Sequence, residues 1–115
     1  MRLVLALIQP TKLKPVQDAL AKIGVDRVTV CDALGYGQQR GQTDQAVALE
    51  RPALHRKVAL EIAVNEDFLE KTMATISRVA KSGAHGAIGD GKVFVLPMEE
   101  VVRLSDGRRG PEGVS

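Results

Sequence analysis

The sequence predicts an α+β fold, a ferredoxin-like split βαβ sandwich in which one antiparallel sheet carries both helices on a single face. The first observation is the order of elements: strand, helix, strand, long loop, strand, helix and strand along 115 residues. The second is that this order contains two βαβ halves in tandem, which is typical of that arrangement. A chain of this length is expected to form one domain with its own core.

The first half of the chain predicts two strands separated by a helix. The apolar run 3–8 stops at Gln9 and Pro10, so it predicts a central strand that is covered on both faces. A helix follows, because Gly24 supplies a stop after apolar residues that recur at helical spacing, namely Leu13, Val16, Leu20 and Ile23. Residues 27–33 predict the second strand, in which the single cysteine, Cys31, is expected to be buried.

Between Leu34 and about Arg56 neither the helical nor the strand period is sustained. A loop this long inside a small domain is generally functional. Residues 57–64 then alternate as a half-buried strand, and Asn65 is placed to cap a second helix with an apolar stripe. A glycine-rich loop, a fourth strand at 93–96, a short terminal strand at 101–104 and a mobile segment from Asp106 to Ser115 complete the chain.

Several apolar strand residues cannot all face the helices at once. They are Leu5, Leu7, Val58, Leu60 and Ile62. The sheet face away from the helices therefore needs a cover, and association of several copies through that face is expected.

Composition excludes several classes of function. A net charge of +2 and 3% aromatic residues do not favour a nucleic-acid surface. The longest early apolar run is too short to cross a bilayer, and one cysteine fits a reducing compartment, so we expect a cytoplasmic protein without direct membrane insertion. His55 and His85 lie in separate loops without neighbouring ligands, so neither a metal site nor a catalytic site is predicted.

Three segments have residues that suit an anionic ligand. The loop Ile88-Gly89-Asp90-Gly91-Lys92 leads into a strand, so it is neither a Walker loop nor a Rossmann fingerprint, but its N–H groups and lysine can hold an anion. On spacing alone, a tight turn with a surface lysine is the better explanation. The other two candidates are residues 35–39 (Gly-Tyr-Gly-Gln-Gln) and Arg103, and a trimer could bring all three together.

The chain resembles the PII signal-transduction proteins over residues 1–107. The segments that carry the resemblance are Ile8-Gln9-Pro10, 35–43 (Gly-Tyr-Gly-Gln-Gln-Arg-Gly-Gln-Thr), 57–62 (Lys-Val-Ala-Leu-Glu-Ile) and 88–95 (Ile-Gly-Asp-Gly-Lys-Val-Phe-Val). The resemblance implies a homotrimer that binds ATP or ADP in its lateral clefts. It also implies a regulator, not an enzyme, whose long T-loop (about 35–56) contacts a target membrane transporter or metabolic enzyme linked to nitrogen metabolism. Residues 108–115 are expected to be a flexible tail.

The resemblance also assigns binding roles to residues. The adenine side is formed by Leu7, Gly35, Tyr36, Gly37 and Val64, with Thr29 near the ribose, and the phosphates are held by Ile88, Gly89, Asp90, Gly91, Lys92 and Arg103, with Gln38 and Gln39 at the loop base. In the family, the residues that match Gln39 and Lys57 receive 2-oxoglutarate through an ATP bridged by Mg²⁺. Lysine and arginine donors are what a triphosphate requires.

Departures from the family pattern leave this chain with fewer cations. Gln38 and Ser105 stand where many members have arginine, and the extra segment Ala84-His85-Gly86-Ala87 lacks a phosphate-contacting lysine. We therefore expect ADP or AMP to compete unusually well with ATP, with His85 either replacing the cation or exposed in the loop. Residues 48–52 contain no tyrosine, so nucleotidylylation there is not expected.

Three alternatives differ in function. The first is a PII-like regulator of carbon metabolism that senses AMP or ADP and bicarbonate; the loss of cations favours it, and the retained Gln39 and Lys57 oppose it. The second, an acylphosphatase-like enzyme, needs an arginine-bearing loop after the first strand, where this chain has Gln9-Pro10-Thr11. The third, an RNA-recognition module, needs aromatic residues on two central strands.

Overall fold

The computed structural model describes residues 1–37 and 53–115 of the chain. The elements are β1 (Arg2–Ile8), a 3-10 turn (Pro10–Lys12), α1 (Leu13–Lys22), β2 (Thr29–Gly37), β3 (Ala53–Val64), α2 (Glu66–Ala80), β4 (Gly91–Pro97) and α3 (Pro111–Val114). Within these described residues, no helix combines the length and the apolarity that a membrane span requires.

The four strands form one sheet in the order β2-β3-β1-β4. Each neighbouring pair is antiparallel, with Ala6 of β1 opposite Leu60 of β3 and Val93 of β4. Helices α1 and α2 pack against each other, and α2 also contacts β1, β3 and β4. The predicted α+β, ferredoxin-like split βαβ fold is therefore confirmed.

The core lies between the sheet and the two long helices. Every second residue of β1 (Val4, Ala6 and Ile8) is buried, because successive side chains of a strand point to opposite faces. The other core members with less than 2% exposure are Val16, Leu20, Leu60, Ile62, Thr72 and Ile76. Burial of each large apolar side chain contributes about 1.5–3 kcal/mol before the entropy of ordering is counted.

The helix ends follow the sequence signals with one exception. Gly24 has φ 88°, the left-handed conformation that glycine adopts readily after a helix. Asn65 is extended (φ −81°, ψ 164°) directly before α2, as an N-cap residue should be, but its side chain makes no cap hydrogen bond. Its Nδ2 donates to the Pro111 carbonyl oxygen at 3.1 Å, while its Oδ1, the atom that would accept a cap hydrogen bond, has no partner among the described residues.

Strands β2 and β3 extend further than predicted. The ladder continues until Gly37 faces Ala53, and Tyr36 pairs with Leu54. The prediction that the loop begins at Leu34 and ends at Arg56 was wrong at both ends. The ribbon continues past the last residue of β1, so backbone pairing between β2 and β3 extends it without an apolar face, and Leu34 and Tyr36 remain exposed. Residues 38–52 lie outside the described residues.

The C-terminal segment also differs from its prediction. Residues 101–104 do not join the sheet; Val102 forms only an isolated bridge with Arg109. The segment from 106 onward, expected to lack structure, turns back and ends in α3. Hydrogen bonds and ion pairs hold this segment, including one from Arg109 Nη2 to Glu100 Oε2 at 2.8 Å. This structure was not predicted because polar contacts of this kind produce no periodic pattern of apolar residues.

The sheet face away from the helices carries apolar side chains that this copy leaves uncovered. Phe94 and Leu96 of β4 are 43% and 44% exposed, and Leu5 and Leu7 of β1 are half-buried on the same face. Val58, Leu60 and Ile62 all face the helices, so Leu5 and Leu7 are the residues left over from the predicted set. The prediction that Cys31 is buried was wrong, because Cys31 lies exposed on the edge strand β2.

We predict that Leu20→Ala lowers the free energy of unfolding by about 2–5 kcal/mol, because it removes a fully buried side chain and leaves a cavity. Leu104→Ala is the matched control, since Leu104 is 95% exposed. Urea unfolding at one fixed protomer concentration measures both. Equal losses for the two variants would contradict this placement of the core.

Candidate functional site

The glycine-rich loop 82–90 lies where β4 begins, beside the end of β1. Gly91 pairs with Ile8 and has φ 114°. A Cβ at Gly91 would come within 1.7 Å of the Leu7 carbonyl oxygen, so no other residue fits there without moving the backbone. The glycine is therefore required for the loop to pass this closely over β1.

The Gly89 carbonyl group connects the loop to the end of β1 and to β3. The Gln9 Nε2 donates to the Gly89 carbonyl oxygen at 2.6 Å, and the Lys57 Nζ donates to the same oxygen. Gly35 leaves room for this lysine, because a Cβ at Gly35 would lie 3.2 Å from the Lys57 Cγ. Lys57 was predicted to face a ligand; here its ammonium group positions the loop. Gln9 was not among the predicted site residues. The signal that could have identified it was its position directly after β1.

Asp90 closes the loop from inside. Its Oδ2 accepts hydrogen bonds from the backbone N–H groups of Ser82 (2.9 Å) and Ala87 (2.8 Å), and its Oδ1 accepts one from the Ser82 hydroxyl (2.6 Å). Asp90 therefore shapes the loop and presents little free acceptor capacity to a ligand. The exposed Lys92, directly after the loop, remains accessible from outside.

The pKa of Asp90 reflects the same contacts. Partial burial alone raises the pKa of this carboxyl, but the hydrogen bonds from Ser82 and Ala87 and the charge of Lys12 together lower it below the ordinary 3.8. Because folding lowers this pKa, the stabilisation is complete above the ordinary value and is lost as the pH falls through the lowered one. At neutral pH the Asp90 carboxylate is therefore charged, and its contribution to the stability of the loop is fully present.

The extra segment 84–87 forms part of the wall of an open cleft of about 920 Å³ between the loop and α2. Apolar side chains line its floor, among them Met73, Ile76 and Val93. Lys81, His85 and Lys92 lie at its rim, and Ile88, 53% exposed, also borders it. His85 is therefore exposed next to the loop. Lys81, a cation that sequence reasoning overlooked, would have been found by extending the motif upstream into the end of α2.

Most of the predicted site residues that the structure describes lie at one of two opposite ends of the sheet. The loop-end group has Leu7, Lys57 and the loop residues up to Lys92, where Ile8 of β1 faces both Val58 and Gly91. Six residues away along β1, Arg2 faces Val64 and Pro97, which corresponds to a separation of about 20 Å.

The far-end group contains Val64 and Arg103. Thr29 starts β2 opposite Glu61, which faces Leu5 in the middle of β1, so Thr29 lies between the two ends of the sheet. Val64, Arg27 and Ser115 line a smaller cavity of about 250 Å³. The Arg103 Nη1 donates to the Ser115 carbonyl oxygen at 2.6 Å, and so does the Arg27 Nη1, at 3.0 Å. Arg103 is therefore at the far end, remote from Lys92 in the same copy.

The remaining predicted residues lie on or beyond the ribbon of β2 and β3. Gly35, Tyr36 and Gly37 end β2, past the last residue of β1, and Tyr36 is 73% exposed. Gln38 and Gln39 lie outside the described residues. Across residues 1–37 and 53–115, no group of three His, Cys, Asp or Glu side chains is arranged to hold a metal ion.

Comparison with known proteins gives one consistent family. A sequence model described as "Nitrogen regulatory protein P-II" matches residues 1–108. The chain is 44% identical over 115 residues to nitrogen regulatory protein GlnK1 of Methanosarcina mazei, covering 99% of this chain and 97% of the relative. It is 36% identical to nitrogen regulatory protein P-II of Azospirillum brasilense, covering 99% of this chain and 100% of the relative. For a P-II homologue of Arabidopsis thaliana the identity is 40%, over 91% and 53% respectively.

We predict that Asp90→Ala opens the loop, because the variant loses every acceptor that ties Ser82 and Ala87 together. The backbone amides of these two residues should exchange with solvent about tenfold faster or more, since exchange follows local opening. Hydrogen-exchange mass spectrometry or NMR measures this rate.

Asp18→Ala is the matched control, because among the described residues the Asp18 carboxylate binds Lys14 alone, on the surface of α1. Unchanged exchange at Ser82 and Ala87 in Asp90→Ala would show that the carboxylate does not hold the loop.

Proposed function

The chain belongs to the nitrogen regulatory protein P-II family, and from this we propose that it binds an adenine nucleotide between subunits of a homotrimer and so regulates a target protein. Membership makes it a nitrogen-regulatory signalling protein. The nucleotide, the trimer and the target are the parts that we propose. In this proposal the protein is cytoplasmic and catalyses no reaction.

The single observation that carries the proposal is the separation of the two groups of site residues. Lys92 lies at the loop end of the sheet and Arg103 near the far end, and the two ends of β1 are about 20 Å apart. One copy therefore holds half a phosphate site at each end. Two copies packed through the uncovered face of Leu5, Leu7 and Phe94 can bring the halves together, and a heterologous contact repeated three times closes a ring.

The loop end offers a suitable cradle for phosphates. Gly89 and Gly91 both have positive φ (100° and 114°), which lets a ligand approach the backbone closely. Lys92 is exposed, so its ammonium group is accessible to an anion. In the assembled junction, Arg103 of one subunit would add a planar donor to the phosphates held by Lys92 of the next.

The adenine and the co-ligands have fewer described contacts. We propose that Leu7, Gly35, Tyr36 and Gly37 border the base from one subunit, with Thr29 and Val64 from its neighbour. Mg²⁺ and 2-oxoglutarate would reach Gln39, which lies outside the described residues, and Lys57. Lys57 must then exchange its bond to the Gly89 carbonyl oxygen for the ligand, so that ligand binding loosens the loop.

Signalling would pass through the ribbon that ends at Gly37 and Ala53. The T-loop joins these two residues directly, so a nucleotide that contacts Gly35 to Gly37 acts at its base. Two ligands that place this base differently would favour different T-loop arrangements and therefore different targets. A target transporter or metabolic enzyme would bind the T-loop.

The reduced number of cations affects which nucleotide is preferred. Segment 84–87 contributes His85 and no lysine to the loop end. Gln38 and Ser105 stand at two positions where many family members have arginine. We therefore propose that ADP and AMP compete well with ATP. The carbon-metabolism alternative predicts that AMP binds best and that bicarbonate, rather than 2-oxoglutarate, changes the affinity. Titrations with ATP, ADP and AMP, each with 2-oxoglutarate or with bicarbonate, distinguish the proposed function from this alternative.

We predict that Lys92→Ala weakens ATP binding by about 1.5–3 kcal/mol, the contribution of a hydrogen bond to a charged group. Isothermal titration calorimetry measures the affinity. Lys22→Ala is the control, because Lys22 is exposed in the last turn of α1, away from the loop. An unchanged affinity in Lys92→Ala would place the phosphates elsewhere.

We predict that co-expressed Lys92→Ala and Arg103→Ala chains recover, at some junctions, the affinity that each variant loses alone. In a mixed ring, one junction combines the intact loop end of one chain with the intact Arg103 of the other. For random mixing, roughly a quarter of all junctions are restored. Calorimetry gives this stoichiometry, and light scattering gives the mass of the assembly. A site built within one copy would show no recovery.

A further inference from the structure

Arg103 is already occupied by its own chain. Its Nε lies 3.1 and 3.2 Å from the two carboxylate oxygens of Asp106, and its Nη2 lies 2.7 Å from Oδ2. Its Nη1 donates to the Ser115 carbonyl oxygen at 2.6 Å. The Nε and Nη2 donors of the Arg103 guanidinium group thus bind Asp106. A phosphate would bind the same pair of donors.

The surroundings of Asp106 strengthen this contact. The Arg108 backbone N–H donates to Asp106 Oδ1 at 3.0 Å, and the Arg108 Nε lies 3.6 Å from Oδ2. The hydrogen bond from Arg103, followed by that from Arg108, lowers the pKa of Asp106, so the carboxylate stays charged at neutral pH. The Arg103 side chain is 25% exposed and that of Asp106 is 41% exposed, so solvent only partly screens the pair.

The contact also belongs to a larger folded-back segment. Ser115 accepts a hydrogen bond from Arg27 as well as from Arg103, and the Pro111 carbonyl oxygen accepts one from Asn65. Residues 106–115 are therefore attached to the body of the protein partly through Arg103. Whatever draws Arg103 away removes two of these attachments, to Asp106 and to Ser115.

We propose that Asp106 is an intramolecular competitor of the nucleotide phosphates for Arg103, and so a residue that sets nucleotide affinity. The inference rests on the proposed function, because it takes Arg103 as a phosphate ligand. Binding and the packing of residues 106–115 then oppose each other: a phosphate that pairs with Arg103 displaces the Asp106 carboxylate and loosens the segment. The ligand class is the phosphate chain of an adenine nucleotide, with ATP and ADP affected more than adenosine.

The test compares Asp106→Asn with Glu100→Gln. Both changes remove one negative charge from the same segment at nearly constant shape, but Glu100 pairs with Arg109 and makes no contact with Arg103. Asp106→Asn should bind ATP and ADP about three- to fivefold more tightly than the wild type, and Glu100→Gln should differ by less than about twofold. Adenosine affinity should be the same in all three proteins. Calorimetry on the full chain gives each value.

A double-mutant cycle with Arg103→Ala separates competition from general charge effects. In the Arg103→Ala background, Asp106→Asn should bring no gain, because the group for which the carboxylate competes is gone. Hydrogen exchange gives an independent readout: saturating ATP should accelerate amide exchange in residues 106–115 of the wild type.

The outcomes are distinct for the inference and for the proposed function. If the wild type binds ATP and Asp106→Asn binds it equally or more weakly, Asp106 positions Arg103 for the ligand and the competitor role is overturned. A gain that persists in Arg103→Ala, or one matched by Glu100→Gln, overturns it as well. If no variant binds any adenine nucleotide, the proposed function fails and the inference fails with it.

Discussion

The antiparallel pairing of β1 with β3 on one side and β4 on the other determines where every other part of the protein lies. This register sets Ile8 beside both Val58 and Gly91. It therefore brings Lys57 and the glycine-rich loop together at one end, although more than 30 residues separate them in the chain. The same register places Val64 at the opposite end, beside Arg2. A slip of one residue would reverse every side chain of β1 between core and open face.

The loop end is held mainly by polar contacts to backbone groups. Asp90 ties together two N–H groups inside the loop, while Gln9 and Lys57 bind one carbonyl oxygen from outside. Such contacts are directional, so they set the path of the backbone without filling a core. The exposed Lys92 is then accessible to a ligand. This division between residues that build the loop and residues that face outward suits a binding protein.

At the far end, the cation of the candidate site is already paired within its own chain. Arg103 is partly buried, and its charge is balanced by Asp106 within the same segment. The two ends of one copy thus differ in how accessible their cations are to a ligand. Lys92 is exposed, whereas Arg103 is bound to Asp106. A junction between copies therefore joins an accessible cation to one that must first exchange partners. An exchange of this kind links ligand binding to the packing of the C-terminal segment, and linkage of this sort is reciprocal.

The sequence by itself determined the fold class and most of the core, because the apolar run 3–8, the alternation in 57–64 and the helical spacing are local information. The family followed from motifs that are contiguous in the chain. It also identified the glycine-rich loop, since glycine spacing is visible in one dimension. The tertiary structure decided the rest. It extended β2 to Gly37 through backbone pairing, exposed Cys31 on an edge strand and folded residues 106–115 back through ion pairs. It also separated Lys92 from Arg103. These features depend on contacts between residues distant in the chain or on charge pairs without a period, so no local pattern records them.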